Sequence, residues 1–327
     1  MAVEVADKGL VTVFGGSGFV GRHVVRALLR RGWRVRAAVR RPDLAGHLQP
    51  LGMVGWVQPV QANLRFRWSV DRAVEGADAV VNLVAIPYAS GRQTFEAVHV
   101  FGARAVAEAT RKAGIGRLVH VSAIGADPEA TSDYARTKGR GEAAVRETMP
   151  GAVILRPSLV FGPEDNFFNR FAGLARILPA LPLIGGGRTR FQPVFVGDVA
   201  HAIADSVEGK AKAGTTFELG GQEVKTFREC MELILDVTER KRLLVPMPFP
   251  VAALAAAVLQ YLPKPLLTSD QVRQLRTDNV VSEAAEKEGR TLAAFGIQPD
   301  TLAAILPTYL SRFRARGQFD RRSRAEA

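Results

Sequence analysis

The sequence predicts an α/β fold, a doubly wound parallel sheet with a smaller, mostly helical C-terminal lobe. Three observations predict it. Short apolar runs alternate with helical periods through the first 160 residues, a glycine-rich turn follows the first run, and after Arg156-Pro157 the texture shifts to clustered Pro and Gly and then to helices. The apolar runs are continuous, as strands must be when helices cover both faces of a parallel sheet.

In order, Leu10 to Phe14 reads as the first strand and Phe19 to Arg31 as the first helix. Arg34 to Val39 is strand two, Val54 to Val57 strand three and Ala79 to Val84 strand four. A long helix over Phe95 to Ala113 precedes strand five at Leu118 to Ser122. A helix over Asp133 to Thr148 leads to a sixth strand at Ala152 to Leu155. Beyond Pro163, Pro179, Pro182 and Gly185-Gly186-Gly187, further helices are expected at Val224 to Thr238, Val251 to Leu262, Thr268 to Thr277 and Thr301 to Arg316. The expected division is a sheet domain over residues 1–160, receiving returning segments near 191–220, and a substrate or docking lobe over 161–327 with a basic tail.

Composition narrows the function classes. The 327 residues carry 44 Lys+Arg against 32 Asp+Glu, a net charge of +12, which suits an anionic partner such as a nucleotide phosphate or an acidic lipid headgroup. Cys230 is the single cysteine, so an intramolecular disulfide is excluded and a reducing compartment fits. The five histidines have no ligand spacing, and no metal site is expected. Met1 to Gly9 lacks the apolar core of a secretory signal, and no run approaches the roughly 20 apolar residues needed to span a bilayer. A cytoplasmic protein is expected, peripheral on the inner face of the cytoplasmic membrane or on the matrix side in a mitochondrion. Nucleic acid is not an expected partner.

The first strand runs into Gly15-Gly16-Ser17-Gly18-Phe19-Val20-Gly21 and then a helix, the strand-turn-helix context that a Rossmann-type dinucleotide site requires. The glycines permit a tight turn and let backbone approach a pyrophosphate, while the helix start supplies N–H donors and the positive end of its dipole. An NAD site would place Asp or Glu at the end of strand two. Here Val39 is followed by Arg40-Arg41, and two guanidiniums suit a 2′-phosphate. Arg22 lies within reach of the same group. NADP(H) is therefore the expected cofactor, with NAD(H) second. Asn63-Leu64 after strand three would meet the adenine, and Asn82-Leu83-Val84-Ala85, ending strand four, would let the dinucleotide lie flat.

Tyr134 and Lys138 form a Y-x-x-x-K pair, sharing one face of a helix at i and i+4. The ammonium is expected to lower the phenol's pKa and so equip Tyr134 for proton transfer opposite a carbonyl undergoing hydride transfer. With Gly15 to Gly21 and the run Arg156 to Pro163, this pair resembles the extended short-chain dehydrogenases. That resemblance implies that Pro157 and Ser158 border the nicotinamide, that Asp198 caps the helix after it, and that a Ser or Thr ending strand five polarises the substrate oxygen. Ser122 is the candidate for the last role, with Ala123 the alternative position.

Within that group, Pro157 to Phe171, Gln192 to Val199 and Pro246 to Pro250 resemble the nucleotide-binding accessory subunits of respiratory complex I. The resemblance spans the chain to about residue 300. It implies tightly held NADPH without known turnover, complex I subunits or a quinone-related enzyme as partners, and a largely structural role near the quinone region at the membrane surface. The alternative is an active NADP(H)-dependent oxidoreductase, epimerase or dehydratase using Tyr134 and Lys138, with quinone biosynthesis as its setting. The apolar stretch Leu243 to Leu267 and the arginine-rich tail Arg312 to Arg324 suit docking on a partner or an anionic membrane.

Overall fold

The computed structural model describes residues 8–263 and 265–315. The amino-terminal residues before Lys8 and the tail beyond Ala315, including most of the arginine-rich run, lie outside the described residues. Two compact units are present. The first is Met1–Pro157, Val196–Leu219 and Val281–Gln298; the second is Ser158–Phe195, Gly220–Val280 and Pro299–Ala327.

The longer helices are α1 (Phe19–Arg30), α2 (Arg67–Val74), α3 (Gly102–Lys112), α4 (Asp133–Thr148), α5 (Phe168–Ile177), α6 (Val196–Val207), α7 (Phe227–Val237) and α8 (Phe249–Leu259). In the first unit, β1 (Leu10–Phe14), β2 (Arg34–Val39), β3 (Val57–Gln61), β4 (Ala79–Asn82), β5 (Leu118–Val121) and β6 (Val153–Pro157) join the strand Thr216–Leu219 in one parallel sheet. The order is Thr216–Leu219, β6, β5, β4, β1, β2, β3. Strand succession reverses at β1, and the crevice beyond its carboxyl end is where such sheets bind ligands.

Each of Val11, Val13, Val35, Ala37, Val80 and Val81 is essentially inaccessible, because helices cover both sheet faces. On one side, α2, α3 and α4 contribute Val70, Val106 and Val145 to a cluster with Phe14, Val80 and Leu118. On the other side α1 packs along α6. Arg31 at the end of α1 pairs with Asp205 of α6 at 2.6 Å and with Glu208 at 3.2 Å. Full burial of each Val or Leu contributes about 1.5–3 kcal/mol, so these runs carry most of the driving force for the sheet.

The second unit has a phenylalanine-rich core. Phe161, Phe168, Phe191 and Phe227 pack with Leu181, Leu183, Met231 and Leu306, with ring centroids 5–6.5 Å apart in edge-on and tilted arrangements. Strand Ala180–Ile184 pairs in parallel with Leu243–Met247. A capping box opens α7, where Thr226 Oγ1 accepts the Glu229 N–H and Glu229 accepts the Thr226 N–H.

Several elements depart from the sequence reading. The third strand lies at Val57–Gln61, and Val54 is fully exposed in the turn before it. Pro59 lacks a backbone donor, but β3 is the sheet edge, where a missing donor is tolerated. The helix expected over Phe95 to Ala113 opens as a π-helix, Glu96–Phe101, before α3. The helix α2 was not anticipated, because its buried face is made of Ser69, Val70, Ala73 and Val74 between charged residues. Nor was strand Thr216–Leu219, whose Glu218 is buried but paired with Arg156 and the Ser282 N–H. The last predicted helix ends at Leu310, with a short 3-10 turn over Ser311–Phe313.

Candidate dinucleotide site

The glycine turn leaves β1 and enters α1 as a closely packed loop. Gly15 has φ +81°, in the left-handed region, and its N–H donates to the Ala38 carbonyl at 3.0 Å. The Gly18 N–H donates back to the Gly15 carbonyl at 3.0 Å. A Cβ at Gly21 would overlap the Gly15 carbonyl oxygen and fall 2.7 Å from the Gly16 carbonyl carbon. The first turn of α1 therefore lies directly on the loop, and only glycine fits there. Gly18, the N-cap, offers no side chain, and no acidic residue sits in the first turn. The positive end of α1, with Ser17, Phe19, Val20 and Arg22 around it, is therefore not neutralised by a side chain of its own first turn. This is a cradle that an added Cβ would spoil, and it fits a dinucleotide's diphosphate.

Val84 lies against Gly15, with its Cγ2 3.4 Å from where a Cβ would stand. Its N–H donates to Asn82 Oδ1 at 3.2 Å, and Asn82 Nδ2 lies 3.2 Å from His120 Nδ1. Asn82 thus fixes the floor of the cradle by joining β4 to β5. Ala85 is exposed beside it. Asn63 and Leu64 follow β3, but Asn63 Oδ1 accepts the Arg65 N–H at 3.2 Å and Leu64 packs on Gly102. Both side chains are committed locally.

Arg40 and Arg41 stand exposed directly after β2. Arg41 is held by Asp43, with Nη2 to Oδ2 at 2.7 Å, and that carboxylate raises the Arg41 pKa. Arg40 contacts only the neutral carboxamide of Gln93 among the described residues, so Arg40 is the stronger partner for a phosphate.

Lys138 and Tyr134 lie one turn apart on α4, whose N-cap Ser132 accepts the Ala135 N–H. The Tyr134 ring meets the rings of His99 (5.3 Å, 88°) and Phe95 (6.0 Å, 82°) edge-on. His99 Nε2 accepts the Ile86 N–H at 3.1 Å. Its other nitrogen therefore carries the proton and donates to Thr137 Oγ1 at 3.0 Å. Burial first, and then the Lys138 charge, push the His99 pKa down to about 3, which keeps the ring neutral.

The expected activation of the phenol is not found. Burial pushes the Tyr134 pKa up to about 12, and Lys138 Nζ donates to the Val121 carbonyl at 2.8 Å. Burial also lowers the Lys138 pKa to about 8, partly offset by Glu142. Ser122 follows that carbonyl but faces inward. Its Oγ is buried and has no hydrogen-bond partner among the described residues. The half-exposed positions after it, Ala123 and Ile124, carry no hydroxyl. Tyr134, Lys138 and Ser122 share one neighbourhood without a hydroxyl aimed outward from the end of β5.

Pro157 ends β6, and its carbonyl accepts the Ile124 N–H at 3.0 Å. Ser158 belongs to the second unit, where its Oγ lies 2.8 Å from the Asn279 carbonyl and 2.7 Å from Asn279 Oδ1. Asp198 sits inside the first turn of α6, buried, at its third position.

Residues 11–220 match the profile of the NAD dependent epimerase/dehydratase family. The chain belongs to that family. It is 36% identical to the "NADH dehydrogenase (ubiquinone) 1 alpha subcomplex subunit 9, mitochondrial" of Arabidopsis thaliana, over 86% of this chain and 73% of that one. The resemblance to complex I accessory subunits read from the motifs is thus borne out at the level of the whole chain. Identity to the ceramide reductase of Caulobacter vibrioides is also 36%, over 60% of each chain. Among solved structures, the dTDP-glucose 4,6-dehydratase DesIV of Streptomyces venezuelae superposes with a TM-score of 0.70 at 21% identity, covering 93% of this chain and 96% of that one. That likeness establishes the shared fold.

Asn82 was read within the cofactor-facing run that ends strand four, but its contact with His120 was not. Two residues beside Tyr134, His99 and Thr137, were not found by sequence reasoning, because no spacing linked them. Pairing through π-helix geometry leaves no periodic signal in a sequence.

Proposed function

We propose that this protein holds NADP(H) in the β1–α1 cradle as a resident group and acts as a structural, nucleotide-bound accessory subunit of a complex I-type quinone enzyme, peripheral to a membrane. The observation carrying the cofactor half is the Cβ-intolerant Gly15–Gly21 loop with Arg40 beyond β2, where an NAD-selective site would need a carboxylate. The backbone N–H groups at the start of α1 would bind the diphosphate, and Arg40 would pair with the 2′-phosphate, with Arg41 and Arg22 beside it. A bound nicotinamide would supply hydride chemistry. The protein's own groups are poorly disposed to use it: burial raises the Tyr134 pKa to about 12, Lys138 is engaged with the Val121 carbonyl, and the Ser122 hydroxyl is enclosed. Similarity to the mitochondrial subunit over most of the chain supports the partner assignment.

A second reading, an active reductase, draws on the retained Tyr134/Lys138 pair and on the similarity to the ceramide reductase. The test is turnover of the purified protein loaded with NADPH, offered quinones and a carbonyl panel, together with its migration on native gels of detergent-solubilised membranes. The accessory-subunit reading expects no oxidation and co-migration with the respiratory complex. Turnover abolished by Tyr134→Phe, with the protein migrating alone, would establish the reductase instead.

A further inference from the structure

The second unit carries an apolar face that its own core does not use. On α8, Ala252 and Ala256 are buried against Ile184 and Val272. Val251, Leu254 and Val258 recur at i, i+3 and i+7 on the opposite stripe and are 52%, 72% and 70% exposed. Tyr261, Leu262 and Leu266 extend the stripe beyond the helix, and Leu243 and Val245 expose further apolar surface on the neighbouring strand. This helix differs from a core helix with an incidental leucine, because three of its five large side chains, Val251, Leu254 and Val258, are exposed on one stripe while only alanines are fully buried.

The two chain segments that form this face carry charges of one sign. Segments 170–188 and 240–267, joined by the pairing of Ala180–Ile184 with Leu243–Met247, contain seven Arg and Lys residues and no Asp or Glu. Contacts hold several of these cations at the rim. Arg170 Nη2 donates to the Pro265 carbonyl at 2.8 Å, and Arg242 Nε donates to the Ala175 carbonyl at 2.8 Å. The Arg276 guanidinium lies 5.2 Å from the Phe249 ring centroid, at the start of α8. Burial, with repulsion from Arg242 and Arg176, lowers the Arg240 pKa, as expected where cations gather.

We propose that the α8 face is a docking surface for an anionic lipid bilayer, with Val251, Leu254, Val258, Tyr261 and Leu262 entering the headgroup–acyl boundary and Arg170, Arg176, Arg240 and Arg242 meeting lipid phosphates. No helix among the described residues is long and apolar enough to cross a membrane, so attachment is interfacial. Apolar area and cation attraction act together in such binding, at about 1 kcal/mol per cation near the surface. The proposal does not depend on cofactor or respiratory partner, since a free-standing reductase would present the same face.

The test is co-sedimentation of the full chain with vesicles of phosphatidylcholine alone and of equimolar phosphatidylcholine and phosphatidylglycerol, with sedimentation velocity run in parallel. The expected result is binding at least about tenfold stronger to the anionic vesicles, since two net cations suffice for that ratio. Leu254→Glu with Val258→Glu should abolish it while leaving thermal unfolding and NADPH binding unchanged, and Arg176→Gln with Arg242→Gln should weaken it. Three results would overturn the proposal: equal binding to both vesicles, binding lost on removing residues 316–327 but kept in the α8 variant, or a stable dimer that the α8 variant dissolves.

Discussion

At the scale of single residues, the cradle and its neighbours differ sharply in what they tolerate. Gly21→Ala forces a Cβ into the Gly15 carbonyl. Overpacking of this kind costs about 1–3 kcal/mol, and the displaced loop should lose nucleotide binding as well, checked by thermal unfolding with and without NADPH. Arg40→Glu replaces an attraction for the 2′-phosphate by a repulsion. A charged hydrogen bond is worth about 1.5–3 kcal/mol, so NADPH affinity should fall at least about tenfold with little change for NADH, and equal losses would show that Arg40 does not read the phosphate. Lys138 gives a pH prediction. Its pKa is about 8 in the folded chain against an ordinary 10.5, so the unfolded chain binds more protons between these values and stability rises with pH across that window. The part owed to this group is about 3 kcal/mol. It is fully present above pH 10.5 and lost as pH falls through 8. Denaturant titrations at intervals across that range should show the rise, and Lys138→Met should flatten it.

At the scale of elements, legibility followed chemistry. The limits of β1, β2 and α4 could be read directly because continuous Val, Ala and Leu runs or a Ser132 cap mark them. Elements whose buried faces are small or polar were illegible. The helix α2 hides Ser69 and Ala73, the strand Thr216–Leu219 hides Glu218, and a buried charge reads as a surface charge until its partner is known. The cradle was fully legible, since Gly15, Gly18 and Gly21 are fixed by backbone geometry. The inward turn of Ser122 was not, because a hydroxyl's facing depends on where β5 ends. The loop ahead of α5 supplies a further test. Asp165 is buried, accepts the Phe167 and Asn169 N–H groups, and receives the Tyr309 hydroxyl at 2.6 Å, tying helix Leu302–Leu310 to that loop. Burial raises the Asp165 pKa despite these donors. Tyr309→Phe removes the shorter of the two donors to Asp165 Oδ2, leaving the Gly162 N–H at 3.3 Å, and should destabilise the chain by about 1–3 kcal/mol, seen as a lower unfolding midpoint. An unchanged midpoint would mean that water replaces the phenol without loss.

At the scale of the whole molecule, a parallel sheet positions the glycine loop proposed to hold a diphosphate, while on α4 burial raises the Tyr134 pKa and Lys138 is engaged with the Val121 carbonyl. A cradle proposed to hold its nucleotide beside a buried Lys138 and Ser122 suits a protein in which the nucleotide is part of the structure. Bound NADPH then stabilises the native state by mass action, about 2.7 kcal/mol at a hundredfold excess over Kd. The most direct measurement is isothermal calorimetry of the purified, nucleotide-stripped protein with NADPH and with NADH. A single tight site for NADPH, at least about tenfold stronger than for NADH and lost in Gly21→Ala, is the predicted result. Absence of binding heat with either coenzyme, supported by an unchanged unfolding midpoint in their presence, would contradict it.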